Sequence, residues 1–220
     1  MTQRIDAHDL RSSDAYRMLI DSIVPRPIAW TTTLSNAGVL NLAPFSYFAG
    51  LGSKPPSLMI SVANKRDGTP KDTLRNIRER PEMVVHIVSS PLVEQANASA
   101  IDAPENVSEV ELLGLTPMAS THIEVPRIAE ARVAMECRVA QIIDWGEPPG
   151  CGVVFAEVLC WHLDDKVLDP HGRIDPLRLD PVGRMGGSQY CSIGTLFSLA
   201  RPTWADREDT PISLGKKESS

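Results

Sequence analysis

Two clusters between Asn41 and Thr73 carry residue types that could hold a ligand. The later one, Arg66-Asp-Gly-Thr-Pro-Lys-Asp-Thr73, reads as a basic loop opening a helix, with Thr69 as N-cap, Pro70 at the first helical position and Asp72 placed to reach back. A helix start presents unpaired N–H groups and the positive end of the helix dipole, so an anion such as a phosphate is favoured there. Pro70 has no N–H, but Lys71, Asp72 and Thr73 do. Thr73 adds a hydroxyl, Arg66 a fork suited to paired contacts, and Lys71 a point charge. The earlier cluster, Asn41-Leu-Ala-Pro-Phe-Ser46, is followed by Tyr47-Phe48. A flat ring needs an apolar slot with a few convergent polar groups. Ala43-Pro44 lets the main chain come close, and Asn41 and Ser46 can hydrogen-bond. Each cluster also has an ordinary reading: a solvated, well-capped helix start, and a strand end whose Phe45 and Phe48 belong to the core.

Elements must position these residues. Residues 1–14 read as an N-terminal arm, followed by a short helix with Ser13 as cap and Tyr16, Leu19 and Ile20 on one face. Pro25-Arg26-Pro27 forces extended backbone. Ile28–Leu34 and Val39–Leu42 flank the turn residues Ser35-Asn36-Ala37-Gly38 as a hairpin. After a turn over Gly50–Pro56, residues 57–62 alternate with period two. Met83–Ser89 is a further strand. Ser90-Pro91 opens a helix through Ala100, and Ser108-x-x-Glu111 is a capping box for a short one ending by Gly114.

Val133–Ile143 alternates, with Val133, Met135, Cys137 and Val139 inward and Glu136 and Arg138 toward water. Gly152–Leu163 is apolar on both faces, the pattern of a strand covered on both sides. Residues 164–181 read as polar loops, and those after Pro202 as a poorly ordered tail. Many short strands with few short helices imply a mainly β barrel with helical insertions, in one domain over 15–202, with 203–220 as the tail.

The bulk properties narrow the function classes. The chain has 220 residues, 42% hydrophobic and 23% charged, within the range of ordinary globular proteins. With 22 Lys+Arg against 28 Asp+Glu the net charge is −6, which argues against nucleic acid as a partner. No run matches a membrane span, and Met1–Asp14 lacks the apolar core of a secretory signal. The four cysteines, Cys137, Cys151, Cys160 and Cys191, are widely separated, so reduced thiols and a cytoplasmic location are expected. His86 and His162 lie inside strands, where hydrogen-bonded core histidines are common. No pair of His or Cys shows ligand spacing, so no metal is expected. Asp169–Asp175 reads as an exposed turn and Gly183–Gly187 as a close backbone turn without the Lys-Ser/Thr of a phosphate loop.

Taken in order, Trp30-Thr-Thr-Thr33, Gly38-x-x-Asn41-Leu-Ala-Pro-Phe-Ser46-Tyr-Phe48, Pro55-Pro56, Lys71-Asp-Thr-Leu-x-Asn-Ile77, Pro181-Val-Gly-Arg-Met-Gly-Gly187-x-x-Tyr190 and Phe197-x-x-x-Arg201-Pro202 resemble the flavin reductase-like family of FMN-binding split barrels. The resemblance is to the branch that includes flavoredoxins and the flavin reductase components of two-component monooxygenases. It implies a homodimer of split β-barrels of Greek-key type with FMN near the subunit interface. Carried over by position, Thr31, Thr32, Asn41, Ala43, Pro44 and Ser46 would line the ring and ribityl chain. Arg66, Lys71, Asp72 and Thr73 would surround the phosphate, with Arg184 and Tyr190 near the flavin. Residues 92–115 would form an insertion at the substrate entrance. The implied activity is hydride transfer from NADH or NADPH to flavin, with electrons passed to a monooxygenase or other acceptor. An electron carrier without nicotinamide activity would use the same motifs. No side chain need act as acid or base, and no G-x-G-x-x-G follows a strand, so the nicotinamide would stack on the flavin itself.

Overall fold

The computed structural model describes residues 1–201, and both Pro202 and the tail expected from 203 to 220 lie outside the described residues. A 3-10 turn at Ala7–Asp9 precedes helix α1, Ser12–Ser22. Arg11, not Ser13, occupies its cap position, and Ile20 is its buried residue. The hairpin follows as β1, Ala29–Leu34, and β2, Leu40–Phe45. Gly38, at φ 80°, supports its turn, where Ser35 N–H donates to the Val39 carbonyl at 3.0 Å.

The expected turn over Gly50–Pro56 is mostly strand: β3, Phe48–Ser53, pairs antiparallel with β4, Pro56–Ala63. Gly50 and Gly52 read as turn residues, but a bulge between them bends an edge strand instead. Helix α2, Asp72–Glu79, and strand β5, Glu82–Ile87, come next. Then follow a 3-10 turn (Ser90–Leu92), α3 (Val93–Ala98) and α4 (Glu109–Leu112). A two-residue pair, β6 (Pro117–Met118) and β7 (Arg127–Ile128), leads into the long strands β8, Val133–Trp145, and β9, Cys151–Leu163. Helix α5, Pro176–Leu179, and a small hairpin, β10 (Gly183–Arg184) with β11 (Tyr190–Cys191), complete the order.

Seven strands form one antiparallel sheet in the order β2-β1-β5-β8-β9-β4-β3. It is rolled. Phe45 of β2 and Phe48 of β3, on the two edge strands, pack into the same core as Val85, Cys137, Val154 and Val158 from the middle strands. Helix α2 contributes Leu74 and Ile77 to that core, each at most 1% exposed, which stabilises its seat by about 2 kcal/mol per side chain. Gly152 on β9 lets the helix approach: a Cβ there would lie 2.6 Å from Leu74 Cδ1. The outer face of β1 and β2 carries Trp30 and Leu42, covered by Leu92, Ala96, Val110 and Leu115 of the helical segment.

Two sequence expectations about exposure change. In β9 only one face, Gly152, Val154, Ala156 and Val158, is buried, and Val153 and Phe155 on the other remain half-exposed. Glu136, expected to face water, is 0% exposed because the loop before β7 folds over it. Its carboxylate accepts the N–H groups of Thr121 at 2.6 Å and His122 at 2.7 Å. Arg138 is exposed as read.

His86 is the hydrogen-bonded core histidine the sequence implies. It is 0% exposed, with Nδ1 2.8 Å from the Trp30 carbonyl and Nε2 2.9 Å from the Ile128 N–H. The amide must donate, so Nε2 is the bare acceptor and Nδ1 carries the proton. Burial pulls its pKa down to about 4. Between that value and the ordinary one near 6.5 the unfolded chain binds a proton the folded chain refuses, so stability rises with pH across this window. Unfolding free energy is expected to fall by about 3 kcal/mol from pH 7.5 to pH 4 through this group. Urea titrations of wild type and His86→Gln across that range check it, the variant showing the flatter profile.

Candidate functional site

The β1–β2 hairpin, the start of α2 and the helical segment after β5 meet at a two-chambered cleft. The narrow chamber, about 50 Å³, is bounded by Asn41, Ala43 and Pro44 of β2, by Lys65 and Lys71 to Thr73, and by Ser99 to Asp102 with Glu109. The wider one, about 210 Å³, is bounded by Tyr16, Ile28, Pro44, Ser46, Asn97, Ala100, Arg184 and Tyr190. Pro44 and Ala100 belong to both, so the chambers adjoin.

At the narrow end, α2 begins two residues later than its sequence implies. Asp67 Oδ1 accepts both the N–H of Thr69 at 2.9 Å and its hydroxyl at 2.6 Å, which ties Thr69 into the loop and removes it as a cap. Lys71 takes the cap position without a side-chain cap bond, and the first helical hydrogen bond runs from Arg75 N–H to the Lys71 carbonyl at 3.0 Å. The N–H groups of Asp72, Thr73 and Leu74 therefore precede the ladder, as an anion site requires. Asp72 adds a negative charge here, offset by Arg75 at 2.7 Å and Lys65 at 3.7 Å from its Oδ1.

A buried amide–hydroxyl chain fixes this corner. Asn41 Nδ2 donates to Thr33 Oγ1 at 3.2 Å and to Thr73 Oγ1 at 3.0 Å, while Asn76 Nδ2 donates to Thr33 Oγ1 at 3.1 Å. Asn41 thus braces β1, β2 and α2, and Thr73, having accepted a bond from behind, keeps its own proton for the chamber. The same logic holds at the wide end. Arg26, 4% exposed, donates through Nε to Ser46 Oγ at 3.3 Å, so the Ser46 proton is free to point outward. Arg26 also holds the carbonyls of Ile20 at 2.6 Å, Ile23 at 3.0 Å and Met185 at 3.0 Å. Paired main chain links Arg26 to Arg184, whose guanidinium stacks 4.4 Å from the Tyr190 ring, and the Tyr190 hydroxyl donates to Asn97 Oδ1 at 2.9 Å.

Of the residues read from the sequence, Asn41, Ala43, Pro44, Lys71, Asp72 and Thr73 gather in one chamber, and Pro44 and Ser46 with Arg184 and Tyr190 in the other. Thr31 and Thr32 do not join them. Both are 0% exposed, and because neighbours on a strand point to opposite faces, Thr31 lies toward the barrel core while Thr32 Oγ1 donates to the Pro126 carbonyl at 2.8 Å. Arg66 is exposed and outside the lining, where Lys65 stands instead.

Sequence reading also missed Arg26 and Glu109. The Pro-Arg-Pro signal was there, but it spoke only of backbone. Ser108 makes no capping bond, because its hydroxyl donates to the Leu40 carbonyl at 2.6 Å. Glu109 Oε2 accepts the Leu42 N–H at 2.9 Å, so together they cover the open edge of β2. Burial pushes the Glu109 carboxyl up from its ordinary pKa.

Comparison with known proteins agrees with this architecture. Residues 21–178 match the flavin reductase like domain. The structure of nitrilotriacetate monooxygenase component B from Bacillus cereus superposes with a TM-score of 0.87 at 37% identity, covering 90% of this chain and 99% of that one. That of 2-nitrobenzoate 2-nitroreductase from Pseudomonas fluorescens gives 0.82 at 33%, covering 92% and 98%. A Shewanella frigidimarina protein described as having a split barrel domain shares the fold, with a TM-score of 0.77 at 21% identity over 89% of this chain and 96% of that one. The rolled seven-strand sheet is accordingly a split barrel, and the chain belongs to the flavin reductase-like family.

Proposed function

We propose that the cleft binds FMN and that the protein is an NAD(P)H-dependent flavin reductase. The observation that carries this reading is the join between the two chambers: an anion-favouring helix start at one end, and at the other a slot with apolar and aromatic walls and one polarised hydroxyl. The residues fit the group. The free N–H groups of α2 with Lys65, Lys71 and the Thr73 hydroxyl would hold the phosphate. Ala43 and Pro44 would border the ribityl chain, and Ser46, Tyr190 and Arg184 the ring. Bound flavin supplies the redox chemistry, taking hydride from NADH or NADPH and giving up electrons to a second acceptor.

The chain's own part is to bind, orient and shield. Ser46, polarised by Arg26, offers a proton to an acceptor on the ring edge, and the buried positive charge behind it favours negative charge in the slot. Residues 99–102 border the narrow chamber, and Asn97 and Ala100 of the same segment border the wide one.

A homodimer in the cytoplasm, handing electrons to a monooxygenase, completes the proposal. The partly exposed Val153 and Phe155 on the outer face of β9, with Ile143 at 39% and Trp145 at 70% exposure beside them on the paired strand β8, give a second copy apolar surface to cover. The Bacillus cereus relative, a monooxygenase component, supports the choice of acceptor. Among the described residues no helix is long and apolar enough to cross a membrane. Anaerobic mixing of the FMN-loaded protein with NADH and with NADPH tests the activity. Bleaching of the flavin bands by either is expected; bleaching by dithionite alone would leave an electron carrier and end the reductase reading.

A further inference from the structure

The strongest unassigned chemistry lies away from the cleft, on the outer face of β8 and β9. Cys160 and His162, two residues apart on β9, share a strand face, a strand-type ligand spacing distinct from the helical and C-x-x-C patterns. Ala134 pairs with His162 and Glu136 with Cys160, but Cys137 pairs with Val158, so Leu159 is an extra residue in a bulge. That irregularity sits beside the one fully buried carboxylate of β8, Glu136. The sulfur of Cys160, the Nε2 of His162 and a Glu136 oxygen all lie within 4.8 Å of one another.

We infer that Glu136, Cys160 and His162 form a site for a divalent transition-metal ion of the zinc type. Both partners meet the same ring nitrogen: His162 Nε2 is 2.6 Å from Glu136 Oε1 and 3.4 Å from Cys160 Sγ. A relay to a nucleophilic thiol would use opposite nitrogens of the ring, one toward the carboxylate and one toward the sulfur. Convergence on one nitrogen sets oxygen, sulfur and nitrogen around a common point, the arrangement a shared cation requires. With Zn–S about 2.3 Å and Zn–N about 2.0 Å, a tetrahedral ion holds sulfur and nitrogen about 3.5 Å apart, close to the separation here. The nitrogen–oxygen pair must open by about 0.7 Å to reach tetrahedral spacing, and the His162 side chain, 22% exposed, has room to swing.

The carboxylate is already oriented. Thr121 and His122 N–H groups hold its two oxygens, one each, as supporting donors do around metal ligands. On binding, the Cys160 thiol releases its proton to water and the imidazole proton moves from Nε2 to Nδ1. Thiolate and carboxylate then balance the ion's two positive charges, and solvent takes the fourth position on the exposed side, as in open three-ligand sites. The ion would clamp the 119–125 loop, through Glu136, onto the β8–β9 pair.

The test uses the full chain, stripped with a chelator and titrated with Co²⁺. One equivalent is expected to give the visible bands of a four-coordinate ion and a near-ultraviolet thiolate-to-cobalt band, both removed by Zn²⁺. Cys160→Ser should abolish the thiolate band. His162→Asn, a change at a partly exposed position, should weaken Co²⁺ at least about tenfold while FMN binding is unchanged. If Cys160→Ser does not fold, His162→Asn and the wild-type spectrum still decide the matter. Absence of the thiolate band in the wild type, or Co²⁺ binding unaltered in His162→Asn, would overturn the assignment and leave a carboxylate–imidazole clasp.

Discussion

Replacing Lys65 and Lys71 together with alanine is expected to weaken FMN by about 30- to 100-fold and riboflavin by no more than about twofold, since charge-assisted hydrogen bonds to an anion contribute about 1.5–3 kcal/mol each before screening. The reason is geometric. Lys71 stands at the cap of α2 and Lys65 faces the same chamber across Asp72, whereas the ring would rest on Pro44 and Ser46 in the neighbouring one. Arg66→Ala serves as the contrast: it removes a cation of the same loop that is exposed and outside the lining, and FMN affinity should change by less than about threefold. Fluorescence titration with both ligands measures each effect. Equal losses for FMN and riboflavin would contradict the placement of the phosphate at α2.

Arg26→Met is expected to lower the unfolding free energy by about 3–5 kcal/mol, since each buried acceptor left unpaired costs about 1–3 kcal/mol. Arg26 is a buried cation with no carboxylate among its described partners, and its hydrogen bonds run to three carbonyls and Ser46. Those carbonyls come from the end of α1, the segment that follows it, and the β10–β11 hairpin, so one side chain fastens two distant parts of the chain beside the wide chamber. Arg26→Lys should recover only part of this, because an ammonium cannot hold a planar set of acceptors. Urea unfolding at neutral pH reads the loss, and FMN affinity of the Lys variant reads the loosening of Ser46. A change below about 1 kcal/mol in the Met variant would show that water replaces the guanidinium at those carbonyls.

Much of this was legible in the sequence where local rules decide the outcome. The β1–β2 hairpin and the alternation of β4 follow from periodicity and turn chemistry acting within a few residues, whereas the grouping of Asn41, Ala43, Pro44 and Thr73, up to 32 residues apart, was legible through the ordered motifs of the family resemblance. Readings failed where a distant element changed the environment. Glu136 obeys the outward register of β8, yet a loop from residue 119 onward buries it. Thr69 and Ser108 are sound caps by sequence, but Asp67 and the Leu40 carbonyl claim their hydroxyls. Thr31 and Thr32 lie next to one another in the motif and on opposite faces of β1, and later elements cover both side chains, Thr31 within the barrel and Thr32 at the Pro126 carbonyl. Arg26 was hidden because its partners lie on both sides of it, up to residue 185.

The most direct measurement is a titration of the purified protein with FMN, followed by the quenching of flavin fluorescence and the shift of its visible bands. A single saturable site per chain, weakened selectively in the Lys65→Ala/Lys71→Ala variant, is the predicted result. Absence of saturable binding, or binding to the wild type and the double variant with equal affinity, would contradict the assignment of the two-chambered cleft.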